Sequence, residues 1–433
     1  VARDRWHEEK NMSEATLGSI AIPYTGVARA ATGPAPTGPV APDERIQLMD
    51  VLRGFALFGI LQVNWLDYHK VFNFLIDGSF YTMYSFLFGL GFAIQLIRAE
   101  EKGRPFVIRY FWRTTLLFLI GAAHFVFIWN GDIVRHYGIL AVVLLFVRRW
   151  RVRPLLILAV TVLALATVKR SAIPVRGQFL YRPAVEMTQA EKTAEWVSRE
   201  HGAIVNATVQ RGERDGDYPS LVRGRAAALA NQLRQIDLWY LRSQGEILCM
   251  FILGLIIGRI GLMRDPARHA KLLAWTLVVG LIVGVAGNAF DVFEAPFGVE
   301  LPGSLGGVAY SVGNIGLCLF YLSTLTLLFT YRASVRRFLA PLAPVGRMGL
   351  TNYLMQSIVL TILIDPIGFG LGERIPGRAG FLVLDAFFVV QILYSGWWFK
   401  RFRFGPVEWA WRSLTWGKLQ PMRARTEPAA VAG

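Results

Sequence analysis

Ten runs of apolar residues divide the chain, at about 48–66, 79–98, 107–128, 132–148, 154–170, 244–263, 270–291, 304–331, 346–368 and 379–399. Most hold roughly 17–25 residues, enough to span ~30 Å of hydrocarbon at about 1.5 Å per residue. They are continuous, without the two-residue alternation of barrel strands, so each predicts a helix. The pattern therefore predicts an all-α fold, a polytopic integral membrane bundle of about ten transmembrane helices.

Positive charge falls between these runs in a regular way. One set of junctions carries Arg98, Lys102 and Arg104; Arg148, Arg149, Arg151 and Arg153; Arg259, Arg264, Arg268 and Lys271; Arg332, Arg336 and Arg337; and Lys400, Arg401 and Arg403. The alternate junctions carry Lys70, nothing at 129–131, nothing at 292–303, and Arg374 with Arg378. Under the positive-inside rule this alternation places both termini in the cytoplasm, and a missed or extra span would break it.

The same reading divides the chain. Residues 1–43 are polar, then rich in Ala, Gly, Pro and Thr, and are expected to be a disordered cytoplasmic tail. No apolar stretch follows a basic start there, so no cleaved signal peptide is expected. Residues 44–170 form an N-terminal five-span half, and 244–400 a C-terminal one. Between them, 171–243 is a polar extracytoplasmic loop in which TQAEKTAEWVSRE and SLVRGRAAALANQLRQIDLWYLRS read as short amphipathic helices over the outer mouth. A basic cytoplasmic tail, 401–433, closes the chain.

Composition agrees with a membrane protein: 54% hydrophobic, 18% charged and a mean hydropathy of +0.41. The formal charge of +16 would suit a nucleic-acid binder, but its basic residues sit at the ends of apolar runs, so anchoring to the lipid bilayer is the better account and no nucleic-acid partner is expected. Cys249 and Cys318 fall within apolar runs and provide neither a disulfide framework nor metal-ligand spacing. The glycines form neither GxxxxGK[ST] nor GxGxxG between strand and helix. Arginine far outnumbers lysine, as in chains from GC-rich bacterial genomes, and in such a chain the glycosylation sequon Asn206-Ala-Thr208 is a chance match.

Polar groups inside the apolar runs carry the candidate chemistry, because each is costly in lipid. The first run, RIQLMDVLRGFALFGILQVN, opens on Asp50 and Arg53 and ends on Asn64. A helix sets Arg53 and Asn64 about 16 Å apart. His69 follows in the first outer loop. With the orientation above, His124, Asp132, His136, Glu246, Asn288 and Asp291 are all expected in the outer half. Arg347 sits at the inner end of the ninth run, where Asn352 and Gln356 share a face at i, i+4. A buried His–Asp pair is an acid/base candidate, since a carboxylate can fix the imidazole tautomer. It can equally be a hydrogen-bonded staple between helices. His124 and His136 have no third ligand of clear spacing, so no metal is expected.

At these residues the chain resembles the YeiB-like bacterial inner-membrane proteins, domain of unknown function 418. The matching stretches are RIQLMDVLRGFALFGILQVN (45–64), YSFLFGLGF (84–92), GAAHFVFIWNGDIVRHYG (121–138), GRMGLTNYLMQS (346–357) and RFGPVEWAWRSLTWGKLQP (403–421). Residues 1–43 and 171–243 match nothing in that family. The first stretch is also similar to the wider transmembrane acyltransferase superfamily, which includes acyltransferase family 3 and the lysosomal heparan-α-glucosaminide N-acetyltransferase. Those proteins carry an Arg, ten residues, then a His or Asn on the first helix; here these are Arg53 and Asn64.

The resemblance implies acyl transfer from cytoplasmic acyl-CoA, acetyl-CoA foremost, to a small-molecule or glycan acceptor on the far side of a bacterial inner membrane. Arg53 and Arg347 would hold the CoA phosphates, with Asn352 and Gln356 beside them. Where acyltransferase family 3 has a catalytic His this chain has Asn64, which cannot take a proton. His124 oriented by Asp132, or else His69, with His136 nearby, would then serve as base, and Asn64 would donate to the developing oxyanion. The rival class is a small-molecule transporter or exporter, favoured by polar, Gly-broken spans such as GLTNY but opposed by the lack of a repeat between the two halves. A non-catalytic scaffold is the third. A homodimer is compatible with the sequence but not required by it.

Overall fold

The computed structural model describes residues 46–65, 74–76, 78–171, 209, 212, 217–234, 236, 240–241, 244–297, 303–371 and 377–423. His69, the stretch 1–43 and the TQAEKTAEWVSRE segment lie outside the described residues, as does the side chain of Asp291.

Within them the protein is helical and holds no β-strand, only an isolated bridge between Phe402 and Arg423. The helices are α1 (Gln47–Trp65), α2 (Ser79–Glu101), α3 (Val107–Phe127), α4 (Val134–Val147), α5 (Val152–Ser171), α6 (Tyr218–Arg234), α7 (Gly245–Arg259), α8 (Ala270–Phe297), α9 (Gly303–Tyr331), α10 (Ala333–Leu339), α11 (Leu342–Arg347), α12 (Gly349–Ile364), α13 (Gly377–Phe399) and α14 (Pro406–Trp416). Each of the ten apolar runs contains a helix. Among the described residues, five stretches are long and apolar enough to cross a membrane: Phe74–Glu101, Val107–Phe127, Ala270–Ala289, Gly306–Tyr331 and Ala379–Phe399. Val134–Val147, Val152–Thr167 and Gly349–Ile364 are apolar but shorter. At about 1.5 Å per residue α4 rises only ~21 Å, less than a hydrocarbon core of ~30 Å.

Burial sorts the helices into a centre and a periphery. On α1, Val51, Leu52, Ala56, Leu57 and Leu61 are all buried, and α2 and α7 are apolar and buried on most faces. A helix apolar all round belongs in the middle of a bundle. Peripheral α8 and α13 instead expose Trp275, Ile282, Leu382 and Leu393, as helices facing lipid tails do.

Small residues let the central helices touch. A Cβ at Gly89 would collide with the Phe251 carbonyl, and one at Gly254 with the Phe86 carbonyl, so α2 and α7 meet backbone to backbone. Gly54 and Gly346 do the same between α1 and α11. Further out, α8 packs along α9, α3 along α4, and α5 against α7 and α9.

Two pieces outside the spans dock onto the bundle. α6, from the second of the two expected loop helices, packs on the end of α3: Tyr218 Oη donates to the Phe127 carbonyl at 2.8 Å and Arg225 Nη1 to the Ile128 carbonyl at 2.9 Å. The C-terminal segment folds back as α14, which lies against α3 and α12. Its indoles hold it there: Trp411 Nε1 donates to the Arg113 carbonyl at 2.8 Å, while Trp112 Nε1 of α3 donates to the Leu414 carbonyl at 3.2 Å.

Candidate functional site

The α3–α4 hairpin builds the His–Asp pair. His124 lies in the last turn of α3, and its carbonyl accepts from the Ile128 and Trp129 amides at 2.9 Å each, closing the helix. Gly121, one turn earlier, lets α4 come close, since a Cβ there would collide with the Arg135 backbone. Asp132, ahead of α4, is thereby brought under the imidazole.

Asp132 Oδ2 accepts from His124 Nδ1 at 2.8 Å, with both side chains fully buried. The other oxygen, Oδ1, accepts the Arg135 amide at 2.8 Å, and the Arg135 guanidinium lies 3.7 Å from it. Arg135 also donates to the Asp132 carbonyl and lies over the Phe125 ring at 4.0 Å. A carboxylate accepting at Nδ1 assigns a proton to that nitrogen, and in the neutral imidazole the lone pair is then on Nε2. Among the described residues His124 Nε2 has no hydrogen-bond partner although it is buried. An unsatisfied buried nitrogen calls for an explanation, and a reacting group is one.

A large opening in the bundle lies against this hairpin. It is a cavity of about 360 Å³ between α1, α2, α3, α4, α11, α12 and α14. Along α1 its wall runs from Ile46 to Ile60, a rise of about 21 Å. One end is cationic: Arg53, Arg98, Arg113, Arg347, Arg403 and Arg412 line it, against the two carboxylates Asp50 and Glu408. Aromatic faces hold three guanidinium planes without neutralising them, Arg113 on Trp411 at 3.6 Å, Arg347 on Phe399 at 3.9 Å and Arg412 on Phe404 at 4.7 Å. Arg53 pairs with Asp50 at 3.3 Å, and Gly91 leaves room for its guanidinium.

The other end is lined by Tyr84, Phe88, Leu117, Ile133, Val134, Tyr137 and Tyr353. Tyr353 forms the wall in front of the pair: its ring centre is 5.3 Å from that of His124, and its hydroxyl accepts the Ile133 amide at 3.4 Å.

Glu408 ties the mouth together. Its carboxylate accepts the Leu350 and Thr351 amides at 2.7 and 3.1 Å and the Thr351 hydroxyl at 2.5 Å, filling the open N-terminus of α12 from α14. Burial pushes its carboxyl up, and the bonds from Thr351 and Leu350 work against that. Glu408→Ala is expected to cost roughly 1–3 kcal/mol, because these donors lose their acceptor in a buried place. Glu408→Gln, which keeps one acceptor oxygen, should cost less. Thermal unfolding in detergent compares the two.

Other expected site residues lie elsewhere, and the outer polar groups do not converge on one place. His136 Nδ1 is 2.6 Å from the Tyr240 hydroxyl and stacked on that ring, apart from the pair. Glu246 accepts from Tyr81 at 2.8 Å and from Ser311, between α2 and α9. Asn288 donates to Gly284 of its own helix at 3.0 Å. Asn352 and Gln356 do share a face, but it is turned to α13: Asn352 Nδ2 donates to Val345 at 3.0 Å and to Ser395 at 3.1 Å, and Gln356 Nε2 to Gln391 at 2.9 Å. They are absent from the cavity wall and serve as helix staples. Asn64 is half-buried and lies beyond Ile60, the last α1 residue on the cavity wall. Tyr353, Glu408 and Arg113 were not singled out from sequence, although the first two lie inside the quoted family-like stretches.

Comparison with known proteins places the chain. The family described as "Protein of unknown function (DUF418)" matches residues 257–418. "Uncharacterized protein YxaH" of Bacillus subtilis (strain 168) is 30% identical over 427 residues, covering 90% of this chain and 98% of the relative. "Uncharacterized protein YeiB" of Escherichia coli (strain K12) is 24% identical over 435 residues, covering 88% and 99%. The chain belongs to the YeiB-like DUF418 family. No solved structure matches it. The matched region begins near the end of α7 and so holds the Arg347, Tyr353 and Glu408 part of the DUF418 cavity, whereas the His124–Asp132 hairpin lies before it.

Proposed function

We propose that this DUF418 protein is a transmembrane acyltransferase that moves an acyl group from cytoplasmic acyl-CoA to a hydroxyl or amine acceptor across a bacterial inner membrane. On this reading the ten apolar helices all span, and the arginine-rich end of the cavity faces the cytoplasm. The observation that carries it is the single cavity running from that end to the wall in front of the His124–Asp132 pair.

The chemistry follows from the residues present. Guanidinium planes fixed on aromatic rings suit phosphate oxygens, and each charge-assisted bond is worth about 1.5–3 kcal/mol. The extended pantetheine arm suits a passage about 21 Å long. Turnover requires the Tyr353 ring, which is packed in the core and accepts the Ile133 amide at 3.4 Å, to turn aside. His124 Nε2 then takes the acceptor's proton as the acceptor attacks the thioester carbon. Collapse of the tetrahedral intermediate breaks the C–S bond, and His124 returns the proton to the departing thiolate.

Purified protein should be stabilised against heat by acetyl-CoA, with Arg53→Ala and Arg347→Ala each weakening binding about tenfold or more, ~1.4 kcal/mol. Equal stabilisation of the wild type and both variants would overturn the assignment. So would solute uptake into proteoliposomes that needs no acyl-CoA, which would mark a transporter.

A further inference from the structure

A second opening lies on the flank of the bundle and has no connection with the cavity above. It is a groove of about 350 Å³ between α5, α8 and α9, with Leu163, Trp275, Val279, Val283, Val312 and Leu319 on its walls. Its floor is made by close contact of α8 and α9, where a Cβ at Gly280 would press on the Gly316 carbonyl. The polar side chain in the wall, Thr276, gives its hydroxyl to the Leu272 carbonyl of its own helix at 2.8 Å, so the groove offers its occupant only apolar surface.

The rim is open. Trp275 is 70% and Val279 50% exposed, and in a membrane-embedded bundle that exposure is to acyl chains. From Trp275 to Val283 the groove follows α8 for about 12 Å, the depth of part of one leaflet. One turn before Trp275 the helix starts in a cationic turn, with Arg264, Arg268 and Lys271 all exposed. The carboxylate there, Asp265, accepts the Arg268 amide at 3.2 Å. An indole at the junction of a basic turn and an apolar groove is the arrangement of a membrane interface. A headgroup at that level would leave one of its chains running down the groove.

We infer that this groove holds one acyl chain of an anionic phospholipid whose phosphate lies over Arg268 and Lys271. The inference rests on membrane embedding alone and is independent of the acyltransferase reading. The bland outcome is an annular lipid held without selectivity.

Delipidated protein in detergent, titrated with phosphatidylglycerol or phosphatidylcholine of identical chains, is to be followed by native mass spectrometry. One phosphatidylglycerol per chain should be retained, with about thirtyfold preference over phosphatidylcholine, as expected for two cations near a membrane surface. Arg268→Gln with Lys271→Gln should abolish the preference while leaving weak binding of both lipids. Val279→Trp, which fills the groove from its exposed rim, should abolish tight binding. Val283→Phe does the same deeper in and replaces it should the first variant lose its helical signal. Equal retention of the two lipids by wild-type protein overturns the proposal, and so does undiminished phosphatidylglycerol binding in a folded groove-filling variant.

Discussion

His124→Ala is expected to lower acyl-CoA-dependent transfer by about 10²–10⁴-fold, the usual contribution of a positioned acid/base group. His124→Gln should lose as much. Glutamine can still donate to Asp132, so it preserves the hairpin's hydrogen bond while removing the basic nitrogen. This contrast separates chemistry from architecture. A histidine that only staples α3 to α4 predicts near-normal turnover in the glutamine variant and an impaired fold in the alanine one. The buried Nε2 argues against the staple, because a purely structural imidazole normally has both nitrogens satisfied. Single-turnover release of free thiol from acetyl-CoA, measured beside the unfolding midpoint of each variant, distinguishes the two cases.

How much of this was readable in the chain depends on whether a feature is local. Helices were readable because lipid leaves the backbone no alternative but internal hydrogen bonding; the first run, placed at about 48–66, is Gln47–Trp65 in the structure. The His124–Asp132 pair was readable because eight residues across a turn bring the groups together almost automatically. Spacing alone could not say which neighbour a face meets. Asn352 and Gln356 were correctly placed on one face, yet that face turns to Gln391 and Ser395. Arg53 and Asn64 lie three helical turns apart, again on one side of α1, but the last α1 residue on the cavity wall is Ile60. Long-range partners left no periodic trace. Tyr353 reaches Ile133 across 220 residues and Glu408 reaches Leu350 across 58. The helical count illustrates the same limit: apolarity marks ten segments, but whether a 14-residue helix such as α4 crosses alone depends on what surrounds it.

Asp132→Leu is expected to be the most destabilising single change in the hairpin, by roughly 3–5 kcal/mol, because it strands a buried guanidinium. Arg135 is only 6% exposed, and its nearest carboxylate is Asp132. Its contact with the Phe125 face cannot replace a full negative charge in a medium of low dielectric constant. Adding Arg135→Met should recover most of the loss, since replacing both members of a buried pair with apolar groups is often neutral. The double variant would then be folded and inactive, with His124 no longer held in one tautomer. Chemical or thermal unfolding of the two single variants and the double gives the coupling energy directly. Simple additivity of the two losses would mean that the Asp132–Arg135 contact carries no stability, and that Asp132 is retained for its bond to the imidazole alone.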